Sequence, residues 1–260
     1  MLHSGETNST HPLKKQNNMI LTTIYSHTPE ETSKTTKRNA STKLTDIVDS
    51  AMEGVFGKDS VTTSVDEYFL KMEGMSGRFY RVFINKVIRN IEDARYLEIG
   101  SWGGSTACSA LYGNKCSVTC IDNWELFGGP KDLFHNNIGK ALKDSNVDFK
   151  FIESDFRKVD YSSIGKHNVY LFDGPHDKKS QKDGVYIVEQ ALDDEFVFIV
   201  DDWNWSNVRE GTFEGIETLG AEVLYSSEIR TTHDNSHVNG DMNRQKGDWH
   251  NGIFVAVLKK

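Results

Sequence analysis

From about Asp93 onward, short apolar runs alternate with longer amphipathic stretches. Arg95–Ile99 (RYLEI), Ser117–Ile121 (SVTCI), Phe149–Ile152 (FKFI), Asn168–Phe172 (NVYLF) and Phe196–Val200 (FVFIV) are brief and bounded by polar segments. Such runs read as buried strands. Between them the spacing predicts helices from about Ser105, over Lys131–Leu142, around Ser180–Leu192 and near Arg209–Leu219. Glu222–Tyr225 and Ile253–Leu258 complete a set of seven strands. Strands and helices alternating at this spacing require right-handed crossovers. The expected fold class is therefore α/β, with a mostly parallel seven-stranded sheet and helices on both faces.

Upstream the pattern changes. From about Thr45 to Ile91 it is helical, in two segments separated by Gly74 and Gly77. In the second segment Tyr80, Ile84, Val87 and Ile91 recur at helical spacing, with Phe79 and Phe83 beside them, so a helix packed on the domain edge is expected. The first forty or so residues are polar, rich in Thr, Ser, Lys and Asn, with neither a helical nor a strand period. Three regions follow: a mobile polar tail over 1–44, an N-terminal helical segment over 45–92, and a ligand-binding domain over 93–260. Ser227–Asn251 interrupts the rhythm with a long polar stretch that holds His233, His237 and His250. It is expected to be either a solvated loop or, with Trp249, a segment that closes over a ligand.

Composition narrows the partners. The net charge is −8, and the basic residues of the tail (Lys14, Lys15, Lys34, Lys37, Arg38) are scattered among polar ones. Neither nucleic acid nor an anionic membrane is expected as a partner. No apolar run reaches the roughly 18 residues of a membrane span. Met19–Tyr25 (MILTTIY) is too short and too interrupted by Thr for a signal peptide, so the cytoplasm is the expected compartment. Of three cysteines, Cys116 and Cys120 share one predicted strand. At about 3.3 Å per residue they stand about 13 Å apart, too far for a disulfide. No CxxC pair suggests zinc, and reduced, buried thiols are expected.

In parallel sheets ligands bind beyond the C-terminal strand ends. The first strand leads into Glu98-Ile99-Gly100-Ser101-Trp102-Gly103-Gly104-Ser105-Thr106, where glycines permit a sharp turn and a close approach of ligand to backbone. Ser105 and Thr106 suit a helix start with exposed amide donors. The pattern is not the GxGxxG of dinucleotide binders, and a glycine loop alone is weak evidence. Asp122 follows the second strand, more than 20 residues past Gly100, where a carboxylate can accept both hydroxyls of a ribose. Trp124 stands where it could cover an adenine face or simply fill the core. Asp155, after the third strand, is placed to meet an adenine amino group or to cap the next turn.

An acidic-x-Gly loop, an acid after strand two and an Asp after strand three together resemble the class I S-adenosylmethionine-dependent methyltransferases, over roughly Asp93 to Lys260. Where the family has its middle loop glycine, this chain has Trp102. That departure resembles one branch, with an EIGSxxGxST loop, which includes the macrocin and other sugar O-methyltransferases. The resemblance implies a Rossmann-like fold and S-adenosyl-L-methionine as cofactor. It implies that Glu98 and Gly100 lie near the methionine portion, Asp122 at the ribose and Asp155 at the adenine, with Ser101, Gly104 and Ser105 of the same loop also expected to bind the cofactor.

The fourth strand ends in Asp173-Gly174-Pro175-His176-Asp177 and the fifth in Asp201-Asp202-Trp203-Asn204. Neighbouring strands lie about 4.8 Å apart, so Asp173, Asp201 and Asp202 can converge at one rim. Close carboxylates repel, and a divalent cation relieves the repulsion; all-oxygen ligands suit Mg²⁺, with Ca²⁺ or Mn²⁺ as alternatives. The resemblance agrees, because metal-dependent O-methyltransferases of a related branch carry acids at these strand ends. Asp173 could instead bind the cofactor while Asp201 and Asp202 cap the next element. A metal would bind and acidify an acceptor hydroxyl, and His176 is the leading base, with Asp177 and Lys178 behind it. The expected function is metal-assisted O-methylation of a small polyhydroxylated, sugar-like acceptor; homo-oligomers are compatible with it. A non-catalytic cofactor- or nucleoside-binding module of the same fold is the second reading. A nicotinamide dehydrogenase is disfavoured by the missing GxGxxG.

Overall fold

The computed structural model describes residues 19–25, 32–57, 62–143, 145–238 and 249–260. The start of the expected tail, with Lys14 and Lys15, lies outside the described residues. The rest of that tail departs from expectation, because it contains two strands, β1 (Met19–Tyr25) and β2 (Thr32–Arg38). They pair antiparallel with each other, and β2 also pairs with a late strand near the C-terminus. β2 shows no hydrophobic period because its inward positions are polar. Thr32 and Lys34 are buried, and the Lys34 ammonium binds Glu53 Oε1 at 2.5 Å and lies 5.2 Å from the Phe56 ring centre. The β-branched threonines supply the strand preference that apolar residues supply elsewhere.

Three helices follow instead of two segments: α1 (Lys43–Glu53), α2 (Glu67–Lys71) and α3 (Arg78–Asn90). Buried Arg81 ties α2 to α3 by donating from Nη1 to the carbonyls of Phe69 and Met72 and from Nε to Ser76 Oγ. Those bonds fix the turn that carries Met75 to the ligand cavity described below.

The alternating part then runs β3 (Ala94–Ile99), α4 (Ser105–Leu111), β4 (Cys116–Asp122), α5 (Lys131–Ala141), β5 (Asp148–Glu153), β6 (His167–Phe172), α6 (Lys178–Tyr186), β7 (Leu192–Val200), α7 (Ser206–Leu219), β8 (Glu222–Arg230) and β9 (Ile253–Lys259). All seven expected strands are present. β8 runs on to Arg230, five residues past the expected end at Tyr225, which shortens the polar loop that follows.

Among the described residues the sheet has nine strands, in the order β1-β2-β8-β9-β7-β6-β3-β4-β5. The four ladders linking β7, β6, β3, β4 and β5 are parallel, and the four linking β7, β9, β8, β2 and β1 are antiparallel. One core packs on each face. Val48, Phe83, Ile84 and Ile138 belong to the side of α1, α3 and α5, while Phe172, Val185, Phe198 and Ile216 belong to the side of α6 and α7. Cys108, Cys116 and Cys120 are free and buried, as expected. Among the described residues no helix is long and apolar enough to cross a membrane.

The chain builds outward from β3 to β4 and β5, then returns to place β6 on the other side of β3. That reversal opens a crevice between the ends of β3 and β6, the position at which open α/β sheets bind ligands.

Candidate functional site at the carboxyl ends of the strands

Ile99 pairs with Phe172, so Gly100 and Asp173 leave their strands side by side. Gly100 has φ +86°, and a Cβ added there would lie 1.9 Å from the Asp173 carbonyl oxygen, so no larger residue fits. The loop that follows is held by Asp122 from the end of β4. Its Oδ2 accepts the backbone N–H groups of Ser101 (2.8 Å) and Trp102 (2.9 Å), and its Oδ1 accepts that of Trp124 (2.7 Å). Asp122 thus shapes the loop and also lines a cavity of about 350 Å³ at the crevice. That volume is within the range of small-molecule sites.

Of the residues expected to bind a cofactor, Gly100, Asp122, Asp155 and Asp173 stand in the cavity wall. Asp155 also takes the alternative role, because its Oδ1 accepts the Arg157 N–H at 3.0 Å and caps a short helical turn. Glu98, Ser101, Gly104, Ser105 and Trp124 are outside the lining. Ser105 Oγ is turned to Ser76 Oγ, 2.8 Å away, and Gly104, with φ +83°, begins α4 behind the loop. Glu98 is wholly buried and its Oε2 accepts the Tyr96 hydroxyl at 2.5 Å. Burial pushes its carboxyl up to about 7, against the opposing hydrogen bonds of Tyr96, Ser101 and Thr106.

Trp124 does not cover the cavity. Its ring packs on Phe151 (4.8 Å between ring centres) and Phe134 (5.7 Å), the core-filling alternative. Apolar cover comes instead from Leu126 and Phe127, which line the cavity while remaining 48% and 59% exposed. Trp102 secures this lip by donating its indole N–H to the Phe127 carbonyl at 2.9 Å. Trp102 therefore braces the lip.

At the other end of the cavity stand Asp173, His176, Asp201 and Asp202. The His176 Nε2 lies 2.8 Å from Asp202 Oδ2 and 3.9 Å from Asp173 Oδ1. Asp202 sits at φ +57°, uncommon for a residue with a side chain, and its Oδ1 accepts Asn251 Nδ2 at 2.7 Å. All three expected carboxylates reach one rim, but the tightest set of possible ligand atoms, all within 4.8 Å of one another, belongs to Asp173, His176 and Asp202. Asp201 is turned to its own backbone, with Oδ1 accepting the Asp202 N–H at 2.8 Å. His176 takes the place expected for Asp201.

Charge and burial at the rim act on the expected base, His176. Burial works against a charged His176, yet the hydrogen bonds and charges of Asp173 and Asp202 override it and raise the imidazole to about 10. Asp202 is held below the usual carboxylate range by His176 and Asn251 despite its burial. Burial and the charges of Asp173 and Asp202 push Asp201 well up. His176 and Asp202 thus favour each other's charged forms, while the setting of Asp201 disfavours its carboxylate.

The sequence pattern did not point to Asn251. Its Oδ1 accepts the Val238 N–H at 3.0 Å and its carbonyl accepts the Asn204 N–H at 2.9 Å. It joins the loop between β8 and β9 to the end of β7, and His237 and His250 of that loop line the cavity. Trp249 does not close over the cavity; it is buried against Phe56, Phe79 and Phe83, with ring centres 6.2–6.3 Å apart. Residues 239–248 of this loop lie outside the described residues.

No protein-family model matches the chain, and no curated protein matches it. Among solved structures it is similar to TrmN from Thermus thermophilus, at 12% identity and TM-score 0.47 over 74% of this chain and 51% of TrmN. A candidate O-methyltransferase from Klebsiella pneumoniae is similar at 13% identity and TM-score 0.47, over 85% of this chain and 91% of that one. Cofactor-bound Rv0187 from MTB is similar at 12% identity and TM-score 0.45, over 84% and 90% of the two chains. This chain spans about half the length of TrmN. With TM-scores below 0.5, these likenesses carry no functional argument.

Proposed function

We propose that the protein is an S-adenosylmethionine-dependent methyltransferase. The observation that carries the proposal is Asp122, which lines the cavity at the switch point while its carboxylate organises the glycine loop after β3. Each of its oxygens can accept more than one hydrogen bond. The Oδ1 atom, with one backbone donor, has capacity for a ribose hydroxyl. Asp155, which lines the same cavity as the apolar Leu126 and Phe127, is assigned to the adenine in this reading.

The acceptor lies toward His176 and Asp202. An acceptor oxygen attacks the sulfonium methyl carbon, the carbon–sulfur bond breaks, its electron pair stays on sulfur, and the hydroxyl proton leaves to a base. A sugar-like, polyhydroxylated acceptor is proposed from the likeness of the EIGSxxGxST loop alone. Two carboxylates and an imidazole form a donor set suited to a divalent cation, held by Asp173, His176 and Asp202. The imidazole nitrogen shifts the expected preference from Mg²⁺ toward a first-row transition-metal ion, among which Mn²⁺ best keeps the liking for carboxylate oxygen. A cation there would supply Lewis acidity to the acceptor hydroxyl and compete with the proton on His176. His176 would act as the base only where it does not ligate the cation, because its one free ring lone pair cannot hold a metal and accept a proton.

Calorimetry with S-adenosylhomocysteine tests the cofactor assignment. The wild-type protein should bind it, and Asp122→Ala should weaken binding by at least about tenfold, through loss of a charge-assisted hydrogen bond and of loop order. Equal affinities would overturn the assignment. Binding without methyl transfer to any hydroxylated acceptor would favour the non-catalytic module.

A further inference from the structure

Among the described residues the sheet ends in two edge strands, β1 and β5. An edge strand presents a row of unpaired N–H and C=O groups, and charged side chains are a common protection against pairing with another chain. β5 has that protection, since Asp148, Lys150 and Glu153 stand among its six residues. β1 has none. Its seven residues, Met19-Ile20-Leu21-Thr22-Thr23-Ile24-Tyr25, include no charge, no proline and no glycine. The register with β2 sets Met19, Leu21, Thr23 and Tyr25 on the face of Arg38, Thr36, Lys34 and Thr32. It sets Ile20, Thr22 and Ile24 on the face of Lys37, Thr35 and Ser33. β1 therefore carries apolar residues on both faces, which is the pattern of an interior strand.

The order of residues in β1 points to the missing neighbour. Antiparallel pairing with a second copy about Thr22 sets Met19 opposite the second copy's Tyr25, Ile20 opposite its Ile24, Leu21 opposite its Thr23 and Thr22 opposite its own counterpart. Isoleucine thus meets isoleucine, the two largest residues meet at the strand ends, and threonine meets threonine. Aromatic, β-branched and Thr–Thr cross-strand pairs are the ones that stabilise sheets, and like charges directly opposite destabilise them. β1 brings no charge to oppose. A strand that is self-complementary about its centre, neutral and apolar on both faces fits its own copy.

We propose that β1 is a dimerisation strand: two copies of the chain join β1 to β1, antiparallel, about a two-fold axis at Thr22, and one sheet runs through both. Such a contact is isologous and closes at two, because each copy uses its apolar edge in making it. The charged β5 strands are left as the outer edges of the joined sheet. β2, β8, β9 and β7 lie between β1 and β6, so the interface is remote from the crevice at β3 and β6, and the inference does not depend on what that crevice binds.

Light scattering on the size-fractionated full chain at micromolar concentration should give twice the mass of one chain. The double variant Ile20→Lys, Ile24→Lys replaces both isoleucine pairs with opposed like charges, and its dimer dissociation constant should rise at least about tenfold. Its circular dichroism spectrum should stay that of the wild type. Cysteine substitution reads the register, against a background of three native thiols that are all buried. In Thr22→Cys the two new thiols stand directly opposite, with Cα atoms about 4.5–5.5 Å apart, within reach of a disulfide. In Ile24→Cys they stand four residues apart along the strands, about 14 Å at about 3.4 Å per residue, and out of reach. Mild oxidation should therefore convert Thr22→Cys, and not Ile24→Cys, into a covalent dimer. The cysteine pair decides the question alone if the double lysine variant does not fold. A monomeric wild type, an assembly larger than two, a dimer as tight in the lysine variant as in the wild type, or no preference for the Thr22 cross-link would each overturn the inference.

Discussion

Glu98 shows at a single residue how the empty site stores unfavourable charge. Its carboxyl lies near the end of β3, just before the loop, fully buried, and is raised from an ordinary 4.5 to about 7 by that burial. An acid whose folded value exceeds its unfolded one stabilises the protein below the unfolded value, and that stability is lost as pH rises through the folded one. For Glu98 the window runs from pH 4.5 to about 7, and the loss across it is about 3 kcal/mol, since each pH unit between the two values is worth about 1.4 kcal/mol. Ligand-free Glu98→Gln, which does not ionise, should show a decline smaller by that amount in urea unfolding at pH 4.5 and pH 7.5. Parallel pH profiles for the two proteins would mean that Glu98 does not titrate in this window. The acid itself was legible in the sequence, because an acidic-x-Gly motif follows an apolar run. Its orientation was not, because strand alternation assigns a face but says nothing of which side of a loop the ligand will occupy. Trp124 failed for a related reason. Its backbone at φ +52° turns the ring away from the cavity and onto Phe151, and no local pattern signals a left-handed tryptophan.

At the scale of elements, the parallel half of the sheet was readable because its inner strands β3, β4 and β6 are short, mostly buried runs, and each strand there ends in a chemically informative loop. The antiparallel extension was hidden. In β2 the inward positions are Thr32 and Lys34, and a lysine buried through an ion pair with Glu53 and a ring contact with Phe56 is invisible to a hydrophobic period. β2 nevertheless has partners on both sides, Thr36 standing opposite Leu21 of β1 and Ser227 of β8. Proline has no N–H for a ladder and is poorly tolerated away from sheet edges. Thr36→Pro should therefore lower the unfolding free energy by about 2 kcal/mol or more. A denaturation midpoint identical to the wild type would show that residues 32–38 are an unpaired tail after all. The loop between β8 and β9 was partly legible, in that its length and histidines marked it as unusual. The asparagines that fasten it, Asn204 and Asn251, carry no motif and act only through the chain's return to the end of β7.

Across the whole molecule, the two halves of the sheet meet at Asp202. Asp202 follows β7, the strand with a parallel neighbour on one side and an antiparallel neighbour on the other. One carboxylate oxygen holds His176, which follows β6 in the parallel half, and the other holds Asn251, from the loop that leads into antiparallel β9. A cation taken up by Asp173, His176 and Asp202 would bind the folded protein alone, because no such cluster survives unfolding, and would stabilise it by mass action. At 100 times its dissociation constant the gain is about 2.7 kcal/mol, enough for a rise of several degrees in melting temperature. Mn²⁺ should raise the melting temperature more than Mg²⁺ at equal concentration, since the set contains an imidazole nitrogen. Asp202→Asn should remove the rise with either ion. It should also let the imidazole of His176 return toward its ordinary value, because its closest anionic partner is gone. A wild-type melting temperature indifferent to millimolar Mn²⁺ and Mg²⁺ would make the His176–Asp202 ion pair the working state of the site. Methyl transfer would then have to proceed without metal, with Asp173 as proton acceptor, and EDTA would leave turnover unchanged.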